Sequence, residues 1–138
     1  MNILEGIEML SVLTDDERLN LSMFCQEKII PAWNIVFHEN DDASAMYILK
    51  RGNVEVTRSI TWWKVILWEV HAEEILWEMA LFWERNKRMA TATALTDCSL
   101  ITILWFSIKE LTLKHPEILE KIKLIINDRM ISNKKKIN

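Results

Sequence analysis

The sequence predicts a mainly β protein with flanking helices: an antiparallel β-roll or jelly roll, with N-terminal helices before it and a C-terminal helix after it. Three observations point there. Between residues 27 and 104 apolar residues fall in short runs that often alternate with polar ones, the period of strands with one buried face. Polar or glycine-bearing turns such as Glu39-Asn40-Asp41-Asp42 and Gly52-Asn53 separate those runs. Helical spacing and capping signals occur only toward the two ends. Short strands joined by tight turns bury their apolar faces by closing on one another, and the terminal helices cover what remains.

Taken in order, residues 1–26 read as a helical lead-in. Ile3, Leu4, Ile7 and Leu10 line one face, and Thr14-Asp15-Asp16-Glu17 is a capping box. A helix is expected from Arg18 to Gln26, with Leu19, Leu21, Phe24 and Cys25 partly buried. Residues 27–106 form the roll. Its strands are expected at 28–31, 34–38, 45–50, 53–60, 65–70, 89–95 and 98–104, with Thr96-Asp97 as the hairpin turn before the last. Residues 107–133 hold the C-terminal helices. Ser107-Ile108-Lys109-Glu110 reads as a second capping box, opening a helix to Lys114, and Pro116 suits the first turn of a helix from Glu117 to about Ile131. Residues 134–138, with Lys134-Lys135-Lys136, read as a frayed basic tail.

A chain of 138 residues has room for one domain with a real core. Half of it is hydrophobic and 27% charged, an ordinary globular balance, and its formal charge of −3 argues against a broad nucleic-acid surface. It contains no apolar run of bilayer-spanning length and no basic, then apolar, signal-peptide start. Cys25 and Cys98 lie far apart without metal-ligand spacing, so they read as reduced thiols of a cytoplasmic protein.

The glycine count is anomalous. The chain has 2 Gly and 7 Trp, whereas glycine ordinarily makes up about 7% of residues. Trp33, Trp62, Trp63, Trp77 and Trp83 all stand in expected turns, where a residue tolerant of positive φ is normal and a bulky one is not. Trp68 falls within an expected strand, and Trp105 lies next to Ser107. This distribution would arise if UGA codons meaning glycine were read as tryptophan, with Gly6 and Gly52 encoded by standard glycine codons. Deliberate substitution and genuine tryptophan in a diverged chain are the alternatives. UGG codons at Trp33, Trp63 and Trp77 would exclude the codon explanation.

The chemistry-bearing stretch is Ile75 to Leu95. Glu78 sits among apolar residues, Met79-Ala80-Leu81-Phe82 makes a short turn, and a charged loop ends on Arg88 before the next strand. A carboxylate that accepts from hydroxyls and a guanidinium that grips phosphate suit a ligand bearing both groups. Leu76-Trp77-Glu78-Met79-Ala80-Leu81 followed by Arg88-Met89-Ala90-Thr91 resembles the phosphate-binding cassette of the cyclic nucleotide-binding domain family. That cassette reads Phe-Gly-Glu-apolar-Ala-Leu, a variable loop, then Arg-small-Ala-Thr. Upstream, Met46-Tyr47-Ile48-Leu49-Lys50-Arg51-Gly52-Asn53-Val54-Glu55-Val56 resembles the family's Tyr-Ile-Ile-x-x-Gly-x-Val-x-Val. The resemblance spans roughly residues 4–131 and is to catabolite activator protein-like regulatory domains. Trp77 departs from the family's Gly and Met89 from its usual Ser, Thr or Ala; Trp33 also stands at a family glycine.

By that resemblance the site residues are Trp77, Glu78, Met79, Ala80, Arg88, Met89 and Ala90. Glu78 would accept from the ribose 2′-hydroxyl, Arg88 would hold the cyclic phosphate, and Ala80, Met89 and Ala90 would add backbone contacts. Arg85 is the rival to Arg88 but does not directly precede the strand. Family members with Thr at the Met89 position often prefer cGMP; Met89 offers no hydroxyl, so cAMP is the favoured ligand over cGMP. Ile131, Ser132 and Asn133 would approach the base from the last helix. The expected function is a stand-alone regulatory domain that relays cyclic-nucleotide binding through its C-terminal helix to an effector protein or a second copy. No nucleic acid, membrane or metal is expected as partner. In relatives a helix-turn-helix domain follows; none is expected within these residues, so the output is a partner or dimer contact, or the chain is a fragment.

The alternative reading is a scaffold of the same fold that binds no nucleotide and acts through protein–protein contacts. Catalysis finds no footing. His38, His71 and His115 are isolated, the paired histidines of a cupin-like metal site are missing from the sequence, and there is no Gly-rich phosphate loop or nucleophile elbow.

Overall fold

The capping box written into Thr14-Asp15-Asp16-Glu17 forms. The Glu17 N–H donates to Thr14 Oγ1 at 3.1 Å, and the Thr14 N–H donates to Glu17 Oε1 at 3.0 Å. It opens α1, Asp15–Ser22, after a short 3-10 turn at Glu8–Leu10. The computed structural model describes residues 3–4, 6–76 and 87–137, the side chains of 130–137 excepted. Among these residues α1 is followed by eight strands: β1 (Cys25–Ile30), β2 (Ile35–Phe37), β3 (Ala45–Arg51), β4 (Val54–Ile60), β5 (Trp63–Val70), β6 (Ile75–Leu76), β7 (Thr91–Ala94) and β8 (Cys98–Leu104). Helices α2 (Trp105–Lys114) and α3 (Pro116–Ile137) close the chain.

The strands form two four-stranded antiparallel sheets, in the orders β1-β8-β3-β6 and β2-β7-β4-β5. This is the β-roll with flanking helices expected from the sequence. Consecutive strands mostly change sheet; β4 and β5 are the pair joined as a hairpin. Leu49, Val54, Val56, Val70, Leu76, Ala92 and Leu100 fill the space between the sheets. On the other face of the β3–β8 pair, Met46, Ile48, Ile101 and Ile103 pack under Leu10, Ile108, Ile118 and Ile122. β3 and β8 are thus covered on both faces, which is why their sequences are near-continuous apolar runs.

Several expectations are corrected. The first helix ends at Ser22 rather than Gln26: only Leu21 of α1 is buried, Leu19 and Phe24 are exposed, and Cys25 already pairs with Ile103 in β1. Thr96-Asp97 is not a hairpin turn, since β7 and β8 lie in different sheets. It is a crossing, pinned where Asn53 N–H donates to Thr96 Oγ1 at 3.1 Å and Ala32 N–H donates to Asp97 Oδ1 at 2.9 Å. Ser107 caps nothing. α2 starts two residues earlier without a side-chain cap, and Ser107 is buried inside it. α3 continues to Ile137, through the lysine run expected to fray. β6 was not foreseen as a strand, because two residues carry no readable period.

The turns answer the tryptophan question in part. Trp33 does sit at positive φ, +70°, in the crossing from β1 to β2, and is 75% exposed. In the β4–β5 hairpin the positive φ, +56°, falls on Thr61; Trp62 is a 90% exposed turn residue outside that region, and Trp63 is already in β5, paired with Ile60. Trp68 is half-buried in β5, and Trp105 opens α2. Trp77 and Trp83 lie outside the described residues. Gly52 has φ +95°, and a Cβ there would stand 2.6 Å from the Asp97 carbonyl oxygen and 2.7 Å from Cys98 Sγ, so this crossing requires glycine.

Candidate functional site

Arg88 is placed by its backbone before its side chain is considered. Its N–H donates to the Asp41 carbonyl at 2.8 Å, and its carbonyl accepts from Asn40 N–H at 2.8 Å. Asn40 takes the left-handed conformation, φ +73°, which its short polar side chain tolerates. The His38 N–H donates to Asp41 Oδ2 at 2.9 Å and tightens the same turn. One residue earlier Lys87 bridges to Asp42 through both backbone and side chain. The Lys87 ammonium, hydrogen-bonded to it, holds the Asp42 carboxyl below the usual carboxylate range. The loop that carries the arginine is therefore laced to the turn between β2 and β3, 45 residues away in the chain.

Arg88 is only 3% exposed. Its Nη2 donates to the Ala45 carbonyl at 2.9 Å. The guanidinium carbon lies 4.3 Å from the Phe37 ring centroid and 5.4 Å from that of Tyr47. Those two rings are stacked, 6.2 Å apart and inclined by 17°. Burying a guanidinium is costly unless hydrogen bonds and ring faces replace water, and this pocket supplies both. Such a group presents a planar fork of donors in a low-dielectric setting, where attraction for an anion is strengthened.

Of the residues singled out in the sequence, Arg88, Met89 and Ala90 come together at the entry to β7: Met89 is exposed and Ala90 buried. Trp77, Glu78, Met79 and Ala80 lie outside the described residues, as does Arg85. The backbone of 131–133 belongs to α3. The sequence did not reveal Phe37, Tyr47 and the Ala45 carbonyl as the surroundings of Arg88. Phe37 and Tyr47 are both aromatic, but they lie in β2 and β3, in different sheets, and only the packing of one sheet on the other brings their rings together.

The family model for the cyclic nucleotide-binding domain matches residues 27–115, from β1 to the end of α2. The chain belongs to the cyclic nucleotide-binding domain family. A cGMP-dependent protein kinase of Drosophila melanogaster, isozyme 2, is 30% identical over 101 residues, 67% of this chain but 9% of the kinase. The Thermus thermophilus catabolite activator protein superposes with a TM-score of 0.77 at 19% identity, over 94% of this chain and 61% of that one. The regulatory domain of Toxoplasma gondii PKA, crystallised with cAMP, gives 0.66 at 22% identity, over 74% of this chain and 39% of that one. At those identities the two structures speak for the fold. The domain is thus a cyclic nucleotide-binding domain similar to part of a cGMP-dependent protein kinase, and it spans less than two thirds of each of these relatives.

Outside this site, His115 joins α1 to the helices at the other end of the chain. Its Nε2 lies 2.6 Å from Glu17 Oε2, and its Nδ1 lies 3.4 Å from Glu117 Oε1. The hydrogen bond to Glu17 raises the imidazole's pKa, and the same bond lowers the Glu17 carboxyl to about 2. Burial pushes the Cys25 thiol up to about 11, out of the range of a reactive thiolate. No helix among the described residues is long and apolar enough to cross a membrane.

Proposed function

We propose that the protein is a regulatory rather than catalytic domain that binds a cyclic nucleotide, cAMP before cGMP, and relays binding through α3 to an effector or a second copy. The observation that carries this reading is Arg88: a buried guanidinium held by Phe37, Tyr47 and the Ala45 carbonyl, inside the stretch that matches the family. In this reading Arg88 meets the cyclic phosphate and Glu78 accepts from the 2′-hydroxyl. Trp77, Met79, Ala80, Met89 and Ala90 line the cassette through their backbone. Met89 lacks a hydroxyl for a guanine and favours cAMP. The Drosophila relative is named for cGMP, so both nucleotides belong in the test.

Titration calorimetry of cAMP and cGMP tests the reading, on the chain as it stands and on the W77G variant, which restores a bare backbone where the family has glycine. Truncating one partner of a buried charge pair commonly costs about 3–5 kcal/mol, so Arg88→Ala should weaken binding by more than about a hundredfold. Glu78→Ala loses a charged hydrogen bond worth about 1.5–3 kcal/mol and leaves no bare charge, so it should cost less. Arg85→Ala should do little. If Arg85→Ala abolishes binding and Arg88→Ala leaves it intact, the register across the loop is wrong.

A second reading, the nucleotide-free scaffold, is favoured by Trp77 at a family glycine and by the engagement of Arg88 with protein groups. It takes over if neither nucleotide binds to either protein.

A further inference from the structure

The last helix carries a buried stripe with a charged residue at its end. Ile118, Ile122 and Ile126 recur at four-residue spacing and are buried in the core under the β3–β8 pair. One turn further along the same face stands Arg129, half-buried. Its Nη2 donates to the Ile75 carbonyl at 2.8 Å, and its guanidinium carbon lies 5.2 Å from the Trp68 ring centroid. A buried stripe that ends in a guanidinium needs a polar partner there, and a β6 backbone oxygen provides it.

The position of that oxygen gives the contact its meaning. Ile75 and Leu76 are the two residues directly before the segment 77–80, and both are buried. β6 pairs with β3 through Ile48↔Ile75 and Tyr47↔Leu76. Tyr47 in turn faces Phe37 and the Arg88 guanidinium. An unbroken set of contacts therefore runs from α3 through Arg129, the Ile75 carbonyl, β6 and Tyr47 to Arg88. The backbone bond does not depend on which residue occupies position 68, so it stands whether or not Trp68 is genuine.

We propose that Arg129 is the positioning residue that couples α3 to the ligand cassette, by holding the strand that enters the cassette against the helix that leaves the roll. Where the cassette binds a cyclic nucleotide, as in the function proposed above, this bond makes the placement of α3 sensitive to binding. The coupling is reciprocal: whatever seats α3 also alters affinity at the cassette.

Amide hydrogen exchange followed by mass spectrometry tests this in two arms. Without nucleotide, Arg129→Ala should speed exchange at residues 75–76 and 88–90 by about tenfold or more, as expected for the loss of a charged hydrogen bond. Arg129→Lys, which keeps the stem and one donor, should restore part of the protection. Lys123→Ala, on the same helix with an exposed pairing to Glu120, should leave those residues unchanged. Unchanged exchange in Arg129→Ala, or an equal change in Lys123→Ala, overturns the proposal; if Arg129→Ala does not fold, Arg129→Lys against Lys123→Ala decides it. With saturating cAMP, α3 residues 118–129 should change protection in the parent. The change should be lost in Arg129→Ala while calorimetry still shows binding. Retention of the α3 response in that variant also overturns the proposal. A parent that binds neither nucleotide would refute the proposed function instead, and the first arm would still decide the role of Arg129.

Discussion

Trp33 offers a direct test of the turn reasoning, because its indole can be removed in two ways that differ by one carbon. Its φ of +70° is a conformation that costs an L-residue roughly 1–2 kcal/mol. Glycine escapes that cost but gives back about 0.5–1 kcal/mol in chain entropy. The same small burial of the indole is lost in Trp33→Gly and Trp33→Ala, so it cancels when the two are compared. Its N–H, which donates to the Ala94 carbonyl at 2.7 Å, is kept in both. Trp33→Gly should therefore be more stable than Trp33→Ala by about 0.5–1 kcal/mol, or a melting temperature about 2–4 °C higher in a domain of this size. At Trp62, outside the positive-φ region, the order should invert, with Gly less stable than Ala by about 0.5–1 kcal/mol. Urea midpoints and thermal melts of the four variants measure both differences. If Trp33→Ala equals or exceeds Trp33→Gly, the backbone at residue 33 is not strained in the way argued, and the codon explanation loses its structural support.

Sequencing peptides of the protein isolated from its own cells should show glycine at position 33; tryptophan there would refute the codon reading outright. Gly52→Ala should destabilise the fold by about 3 kcal/mol, because it adds both a positive-φ penalty and a clash with the Asp97 carbonyl and Cys98 Sγ; a melting curve unchanged from the parent would contradict the crossing geometry. The His115–Glu17 pair should contribute most between about pH 4.5 and 6.5. Glu17, held at about 2 by its partner, contributes above its ordinary 4.5 and loses that contribution as pH falls toward 2. His115, raised, contributes below its ordinary 6.5 and loses it as pH rises through the raised value. Glu17→Gln should flatten the stability–pH profile on both sides, and a profile identical to the parent's would show that the pair is not linked to folding.

What the sequence determined by itself is local in origin. Short apolar runs bounded by turn residues placed β3 and β8, and alternation placed β4, nearly residue for residue, because a strand buried on both faces is apolar throughout and one with a single buried face is apolar at every second position. The Thr14–Glu17 box was legible because all four of its groups lie within one turn. Positive φ at Trp33 was legible from its turn alone, whereas the same reasoning at Trp62 and Trp63 missed by a residue, the positive φ falling on Thr61. Arg88 was legible as a site candidate through its place before β7 and through family resemblance.

The tertiary structure decided everything that depends on which segments meet. Ser107-Ile108-Lys109-Glu110 has the same form as the real capping box, yet α2 extends past it, since packing of Ile108 and Leu111 sets where that helix starts. Thr96-Asp97 looked like a hairpin because its neighbours are strands, and only the pairing of β8 with β1 and β3 makes it a crossing. The burial of Arg88 against Phe37 and Tyr47 brings together side chains from three distant parts of the chain. The Arg129 bond to the Ile75 carbonyl spans 54 residues. No periodicity encodes such contacts: they follow from the closure of two sheets and the seating of a helix on one of them, which is a property of the whole chain and not of any window within it.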